Sequence, residues 1–324
     1  MTQSIDQPKL VTVFGGSGFV GRHVVRALAK RGWRVRVACR RPDLAGHLRP
    51  LGTVGQVTPV QANLRYRWSV DRAMEDADAA INLVGIPFNT GAQTFDAVQA
   101  FGARAVAEAA RAAGAILVHM SAIGADADSA SAYARTKAEG EAAALETVPG
   151  AVIMRPSVLF GPEDDFFNRF ADMARLSPAL PLIGGGKTKL QPVYVGDVAE
   201  AFARALEGGA TPGAIYEIGG PEVLTFKECM QRMLKVTDRE RMLVDLPFPI
   251  AAAIASVSRI LPKPPITPDQ VILLKQDNIV SAEAKAENRT LAGLGIQATA
   301  LDAILPSYLW RFRVAGQYTH PDAA

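Results

Sequence analysis

Two side chains able to move a proton stand four residues apart in Tyr133-Ala-Arg-Thr-Lys137, and on a helix that spacing puts them on one face. A free phenol ionises at a pH of about 10, too high to trade protons near neutrality. The Lys137 ammonium is expected to draw it down, which makes Tyr133 a general acid or base for a carbonyl or an alcohol. Ser121 falls in the apolar run Ile116 to Ala122, ILVHMSA, and is placed to hold the same oxygen. Ser121, Tyr133 and Lys137 are therefore the catalytic candidates. The spacing alone is weak, because most Tyr-x-x-x-Lys pairs are two solvated helix residues; its weight comes from the strand that precedes it.

A second set of residues is built for phosphate. Val11 to Gly21 reads VTVFGGSGFVG, an apolar strand that runs into Gly15, Gly18 and Gly21 and then into a helical run from Phe19 to Arg31. Gly15 suits the turn, Gly18 the close approach of a dinucleotide pyrophosphate, and Gly21 tight packing of helix on strand. Ser17, Phe19 and Val20 complete the loop and helix start, where free N–H groups and the positive helix end attract negative charge. Arg40 and Arg41 lie nineteen and twenty residues past Gly21. A carboxylate at about that distance selects NAD through its ribose hydroxyl, whereas arginine favours the extra phosphate, so the expected cofactor is NADPH. Asn63 and Leu64 would flank the adenine, and Val84 and Gly85 would lie beside the cofactor.

These residues need strand ends and helix starts to hold them, and the order of elements supplies both. Trp33 to Cys39 alternates as a second strand, and Val57 to Leu64 reads as a third. Ser69 to Glu75 is a short helix, and Asp78 to Gly85 is a continuous apolar run suited to the middle of a parallel sheet. A long alanine-rich helix spans Thr94 to Ala113, the next strand ends at Ser121, and helix returns through Leu145. The alternation predicts an α/β fold, a Rossmann-type doubly wound parallel sheet. Beyond about Gly213 the pattern changes to a strand, a turn and a helix opened by Thr225, followed by proline-rich segments. A smaller α/β carboxy-terminal lobe is expected there, with residues 1–165 as the nucleotide-binding core, 166–324 as the lobe, and strands near 191–199 and 213–220 shared.

Composition narrows the function further. The 324 residues are 49% hydrophobic, enough for a large core, and a formal net charge of +3 with scattered basic residues gives no nucleic-acid patch. Cys39 and Cys229, far apart and without CxxC spacing, read as buried free thiols, and no histidine pattern suggests a metal. The polar start MTQSIDQPK carries no targeting signature, and no run approaches the roughly 18 apolar residues of a membrane span. Any membrane contact is thus expected to be peripheral. Gly184-Gly-Gly-Lys187-Thr188 imitates the end of a P-loop, but Pro181 stands where that pattern needs glycine.

GGSGFVG, the Arg40 position, ANL at 62–64, NLVG at 82–85, Ser121, YARTK and RPSVLFGP at 155–162 together resemble the extended and atypical short-chain dehydrogenase/reductases. Asn63 stands where many members carry aspartate, and Gln99 where many carry asparagine. The resemblance implies that Arg155 and Pro156 begin a segment near the nicotinamide, and that QPVYVGDVA at 191–199 leads into a helix of the second lobe. Through ITPDQVILLKQDNIVS at 266–281, LGI at 294–296 and ILPSYLWRFRVAGQY, the chain is similar to one branch, the nucleotide-binding accessory subunits of respiratory complex I.

That branch implies tightly held NADPH, other complex I subunits as partners, no homo-oligomer, and a mainly structural role in the peripheral arm. It also implies a place on the cytoplasmic side of a bacterial inner membrane. Phe248 to Leu261, flanked by Arg259 and Lys263, and the aromatic and basic tail with Tyr308, Trp310, Phe312 and Tyr318 are expected to form the docking surface. The alternative is a free NADPH-dependent reductase, epimerase or dehydratase acting on a small molecule, in quinone metabolism for example.

Overall fold

The computed structural model describes residues 9–258, 261, 264–314 and 316. Six strands pair in parallel: Leu10–Phe14 (β1), Arg34–Cys39 (β2), Val57–Gln61 (β3), Ala79–Asn82 (β4), Ile116–Met120 (β5) and Val152–Pro156 (β6). A seventh strand, Ile215–Ile218, lies beside β6. The sheet order from that edge is β6, β5, β4, β1, β2, β3, so the chain reverses direction between β1 and β4. Ligands of open α/β sheets bind at such a switch point, outside the carboxyl ends of the strands. The glycine turn follows β1, and Val84-Gly85 follows β4, so both sets of candidates flank it.

Every residue of β1 is buried, as the apolar run requires, and the one polar member is satisfied because Thr12 Oγ1 donates to the Ala73 carbonyl at 2.7 Å. Helices Phe19–Lys30 (α1), Arg67–Met74 (α2), Phe101–Ala112 (α3) and Ala132–Thr147 (α4) connect the strands. The helix expected from Thr94 is not a single α-helix. A π-helical turn, Asp96–Ala100, precedes α3, and the Gln99 carbonyl within it lies so close to α4 that a Cβ at Gly140 would be 2.7 Å away. Such turns widen a helix locally and recur at functional sites.

The chain divides into two compact units, Met1–Ser129 with Tyr133–Arg155 and Val198–Tyr216, and Ala130–Ala132 with Pro156–Asp197 and Glu217–Ala324. The alanine side chains of α3, with Leu117, Ile153 and Met74, form the core of the first unit on one side of the sheet. The helix Val195–Leu206 was expected in the second lobe, yet from Val198 onward it belongs to the first unit. Its Glu200, together with Glu207 just beyond it, pairs with Arg31 at the end of α1.

In the second unit, Ala179–Ile183 pairs in parallel with Met242–Leu246, and Thr225 caps the helix Phe226–Thr237 through a reciprocal bond with Glu228. Phe160, Phe167, Phe226 and Met230 form its core together with Leu305, Tyr308, Leu309 and Phe312. This corrects the expected docking tail. Tyr308 donates to the Asp164 carboxylate at 2.5 Å, and Phe312 is buried under the Arg311 guanidinium, so two of the tail aromatics are interior. Trp310 remains partly exposed. Tyr318, Arg259 and Lys263 lie outside the described residues.

The helix Phe248–Ser258 behaves differently. It turns Ala251 and Ala255 inward, against Ile183 and Val271, and leaves Ile250, Ile254 and Val257 exposed at 52%, 44% and 72%. Among the described residues no helix is long and apolar enough to cross a membrane. Cys39 and Cys229 are buried and free, and burial pushes the Cys229 thiol up to about 12.

Candidate functional site

The glycine turn is built of three different demands. Gly15 takes φ +79°, which a side chain disfavours, and its Cα faces the Val84 side chain across the switch point. A Cβ at Gly21 would lie 2.3 Å from the Gly15 carbonyl oxygen, so the helix packs on the turn only if that residue is bare. Gly18 is different. Its φ of −80° is ordinary, and an added Cβ would meet only the Gly15 oxygen, at 3.3 Å. The fold's own demand for glycine is weaker there than at Gly21, a few tenths of an ångström of relief, whereas a pyrophosphate lying against the backbone would require it bare.

The start of α1 suits the same ligand. Gly18 is the N-cap and offers no side-chain acceptor, and no acidic residue stands in the first turn, so the helix end keeps its attraction for an anion. Ser17 hydrogen-bonds the Cys39 thiol, which ties the loop to the end of β2.

Beyond β2 the two arginines separate. Arg41 is engaged by Asp43 at 2.8 Å, while the exposed Arg40 side chain makes no hydrogen bond or ion pair among the described residues. Both arginines are exposed, and Arg40 is the one whose charge is not already paired among the described residues. Asn63 uses its Oδ1 to accept from the Arg65 N–H at 3.2 Å, and its own N–H donates to Ser69 Oγ. Leu64 is buried against Gly102 of α3, so it supports the loop from the core side.

The acid–base candidates gather at the ends of β4 and β5. Lys137 is buried and donates from Nζ to the Met120 carbonyl at 3.2 Å, next to Ser121. A Cβ at Gly85 would lie 3.2 Å from the same Nζ, so the bare backbone of Gly85 makes room for the ammonium. Ser121 is held by its N–H to the Met154 carbonyl, and its buried Oγ has no hydrogen-bond partner among the described residues. A buried hydroxyl left so is costly, and one that meets a ligand oxygen is not. Tyr133 stacks edge-on against Phe95 at 5.8 Å between ring centres.

One expectation fails here. Burial pushes the Tyr133 phenol up to about 12, and the Lys137 ammonium does not draw it toward neutrality. Burial also brings Lys137 down to about 8, with Glu141 opposing. The phenol is thus uncharged across the neutral range. The Arg155 guanidinium forks onto the Glu141 carboxylate at 2.8 and 2.6 Å. Pro156, the last residue of β6, falls in the second unit.

Sequence reading passed over two of the polar groups beneath these residues, His119 and Glu141. His119 on β5 is buried, accepts from the Asn82 amide at 3.2 Å, and is pushed down to about 3 by burial and then by the Lys137 charge. It is neutral. Gln99 donates to the Ile86 carbonyl and accepts from Thr136, so its side-chain oxygen and one N–H are engaged within the protein. Glu141, one turn past Lys137, could have been read as a helix-spaced charge pair. Among the described residues no group of three acidic, histidine or cysteine side chains is placed to hold a metal.

A Rossmann sheet with a glycine turn at its switch point and a Ser-Tyr-Lys set at the neighbouring strand ends defines a nucleotide-dependent dehydrogenase/reductase class. The sequence profile of the NAD dependent epimerase/dehydratase family matches residues 11–219, and the chain belongs to that family. It is 39% identical over 288 residues to subunit 9 of the NADH dehydrogenase [ubiquinone] 1 alpha subcomplex, mitochondrial, of Arabidopsis thaliana, covering 85% of this chain and 72% of that one. It is 34% identical over 247 residues to the ceramide reductase of Caulobacter vibrioides, covering 75% of each. Its fold matches the UDP-glucose 4-epimerase of Thermus thermophilus in complex with NAD, with a TM-score of 0.68, 22% identity and coverage of 94% and 99%.

These relatives overturn one expectation. Placement on the cytoplasmic side of a bacterial inner membrane conflicts with a relative of this similarity that is a mitochondrial subunit, and it is withdrawn.

Gly21 and Gly18 should respond differently to a methyl group. Gly21→Ala should cost the fold about 1 to 3 kcal/mol, whereas Gly18→Ala should leave the melting temperature near that of the unsubstituted protein and weaken dinucleotide binding. Thermal unfolding and fluorescence titration of both variants, side by side, check this. Equal loss of stability in the two would refute the separation.

Proposed function

We propose that the protein is an NADPH-binding accessory subunit of respiratory complex I that stabilises the peripheral arm and works by holding its cofactor, not by turning it over. The observation that carries this reading is the reach of the similarity to the Arabidopsis thaliana subunit, which extends over 288 residues while the family profile ends at 219. The shared length therefore takes in part of the second unit beyond the family profile, at higher identity and over more of this chain than the match to the Caulobacter vibrioides relative. Bound nucleotide stabilises a folded state that alone can bind it, so the cofactor acts as a staple for the first unit.

Selection of NADPH rests on Arg40. A charge-assisted contact to the 2′-phosphate contributes roughly 1.5 to 3 kcal/mol, about ten- to a hundredfold in affinity. Arg40→Asp should therefore reverse the preference, read by competitive titration of NADPH and NADH. Binding of NADH as tight as NADPH by the unsubstituted protein ends this assignment.

Docking on complex I is assigned to the exposed face of the helix Phe248–Ser258. Ile250, Ile254 and Val257 recur at the spacing of one helix face, and Met242 and Val244 of the adjoining strand are exposed as well. Replacing Ile250, Ile254 and Val257 together by glutamine should leave NADPH binding intact and release the protein from complex I in solubilised respiratory membranes. Full co-purification of the triple variant would remove this face from the interface. Truncation after Leu301 is not an equivalent test, since it strips Leu305, Tyr308, Leu309 and Phe312 from a core.

A second reading, an NADPH-dependent reductase of a carbonyl or alcohol, is favoured by the partnerless Ser121 Oγ beside Lys137 and by the Caulobacter vibrioides relative named a ceramide reductase. In this reading the Tyr133 hydroxyl gives the proton. Tyr133→Phe should then abolish turnover of any substrate found while NADPH stays bound; a variant that keeps its rate would dismiss Tyr133 from the chemistry.

A further inference from the structure

Asn82 and His119 are register partners on β4 and β5, and both are buried. Two hydrogen bonds fix the state of each. The Val84 N–H donates to Asn82 Oδ1 at 3.1 Å, and the Asn82 amide nitrogen lies 3.2 Å from His119 Nδ1. A backbone N–H only donates, so the amide atom that meets it is the oxygen. The atom left to face the imidazole is the NH2, which also only donates, so Nδ1 must accept and the ring proton resides on Nε2. His119 is thus held in one tautomer by a backbone donor two residues beyond its partner.

We propose that His119 is a positioning residue: its bare Nδ1 locks the Asn82 amide and, through it, the Leu83–Val84 peptide on which the glycine turn rests. One end of that segment is tied to the sheet, since the Leu83 N–H donates to the Phe14 carbonyl at 3.0 Å. The Asn82 oxygen holds the other end through the Val84 N–H. A Cβ at Gly15 would lie 3.3 Å from both the Leu83 carbonyl carbon and the Val84 nitrogen, so the turn packs directly on this peptide. On the other side of the ring, a Cβ at Gly140 would lie 3.5 Å from Nε2, so α4 closes over the imidazole. An imidazolium would set an Nδ1–H against the amide NH2, and the amide would satisfy it only by turning its oxygen away from Val84. Burial and then the Lys137 charge push the imidazole down to about 3, so the lock holds through the neutral range.

The functional consequence rests on the reading that Gly15 and Val84 flank a bound dinucleotide. A backbone surface that a pyrophosphate approaches closely must be ordered before the ligand arrives, because ordering it on binding costs affinity. The Asn82–His119 pair supplies that order from within the sheet. Reach separates this role from simple filling of the core. An asparagine oxygen stands two bonds from Cβ, as Nδ1 does, and restores the acceptor; a glutamine oxygen stands three bonds out, as Nε2 does, and misses it. In volume, glutamine replaces the ring better.

The first test reads the His119 ring by 15N NMR on labelled protein at neutral pH, without nucleotide. Nδ1 should be bare and Nε2 protonated; a proton on Nδ1 overturns the proposal. In Asn82→Asp an oxygen replaces the donor amide, so a proton should appear on Nδ1, and a ring that keeps Nδ1 bare there also overturns it. NADPH and NADH titrations then compare His119→Asn with His119→Gln. His119→Asn should bind within about threefold of the unsubstituted protein and His119→Gln about tenfold more weakly, although the glutamine variant leaves the smaller void and should melt higher. Affinities that follow the melting temperatures instead mark a core-filling residue and overturn the positioning role. If either histidine variant does not fold, Asn82→Asp, which keeps the Val84 acceptor, and Asn82→Leu, which removes it, make the same comparison, with affinity kept in the first and lost about tenfold in the second. An unsubstituted protein that binds neither nucleotide ends the dinucleotide reading and this role with it, whereas binding that is equal in all variants ends the role alone.

Discussion

A single methyl group on Gly21 would lie 2.3 Å from the Gly15 oxygen and 2.5 Å from the backbone of Gly16, so α1 and the turn after β1 meet as two bare backbones. That contact sets the direction in which the helix leaves the sheet. With it set, the first turn of α1 faces the switch point between β1 and β4, where its free N–H groups offer an anion the best-oriented positive charge in the first unit. Val84 closes the turn from the β4 side, and its neighbour Gly85 makes room for Lys137. The glycine turn and the Lys137 ammonium therefore each pack against one of two adjacent residues of a single chain segment, Val84 and Gly85.

Electrostatics in the first unit follow from the same tight construction. The sheet is covered by alanine-rich α3 and by α4, whose small side chains bring backbones close and leave little space for water. Any ionisable group placed there is driven toward its neutral form. His119 and Tyr133 yield to that pressure, at about 3 and about 12, and so become fixed donors and acceptors through the physiological range. Lys137 yields only in part, because a partnered carboxylate lies one turn away. The site thus holds one adjustable charge among groups whose states do not change, an arrangement suited to retaining a cofactor as much as to reacting with it.

The α/β order, the glycine turn and the strand ends bearing Ser121 and Val84 were legible because each depends on local rules: apolar runs of strand length, glycines at turn spacing, a helix after each. The Arg40 and Arg41 pair was legible only as a position. Nothing in the sequence distinguishes the arginine held by Asp43 from the one left exposed, since both are close to the same acid in the chain. The fork of Arg155 onto Glu141 joins β6 to α4 and needs the sheet to be assembled before it exists. The expected lowering of the Tyr133 phenol failed for a related reason. Helix spacing shows that two groups share a face, but burial, which decides the sign here, is set by what covers that face.

The same distinction governs the second unit, where two apolar segments had read alike. Leu305, Tyr308, Leu309 and Phe312 recur at helix spacing, large residues on one stripe with Arg311 and Arg313 off it, and that stripe is the interior one. Phe248–Ser258 inverts the arrangement past its first turn: Ala251 and Ala255 face inward and Ile250, Ile254 and Val257 face out. Small residues inward bring the helix close to Ile183 and Val271 and bury little area per residue, while Ile250, Ile254 and Val257 keep about half or more of their surface exposed. A segment selected only for the stability of this chain would place them the other way round. The inversion is therefore a property of the surface and not of the core, and its position in the part of the chain that a complex I subunit shares beyond residue 219 is what ties the two observations together.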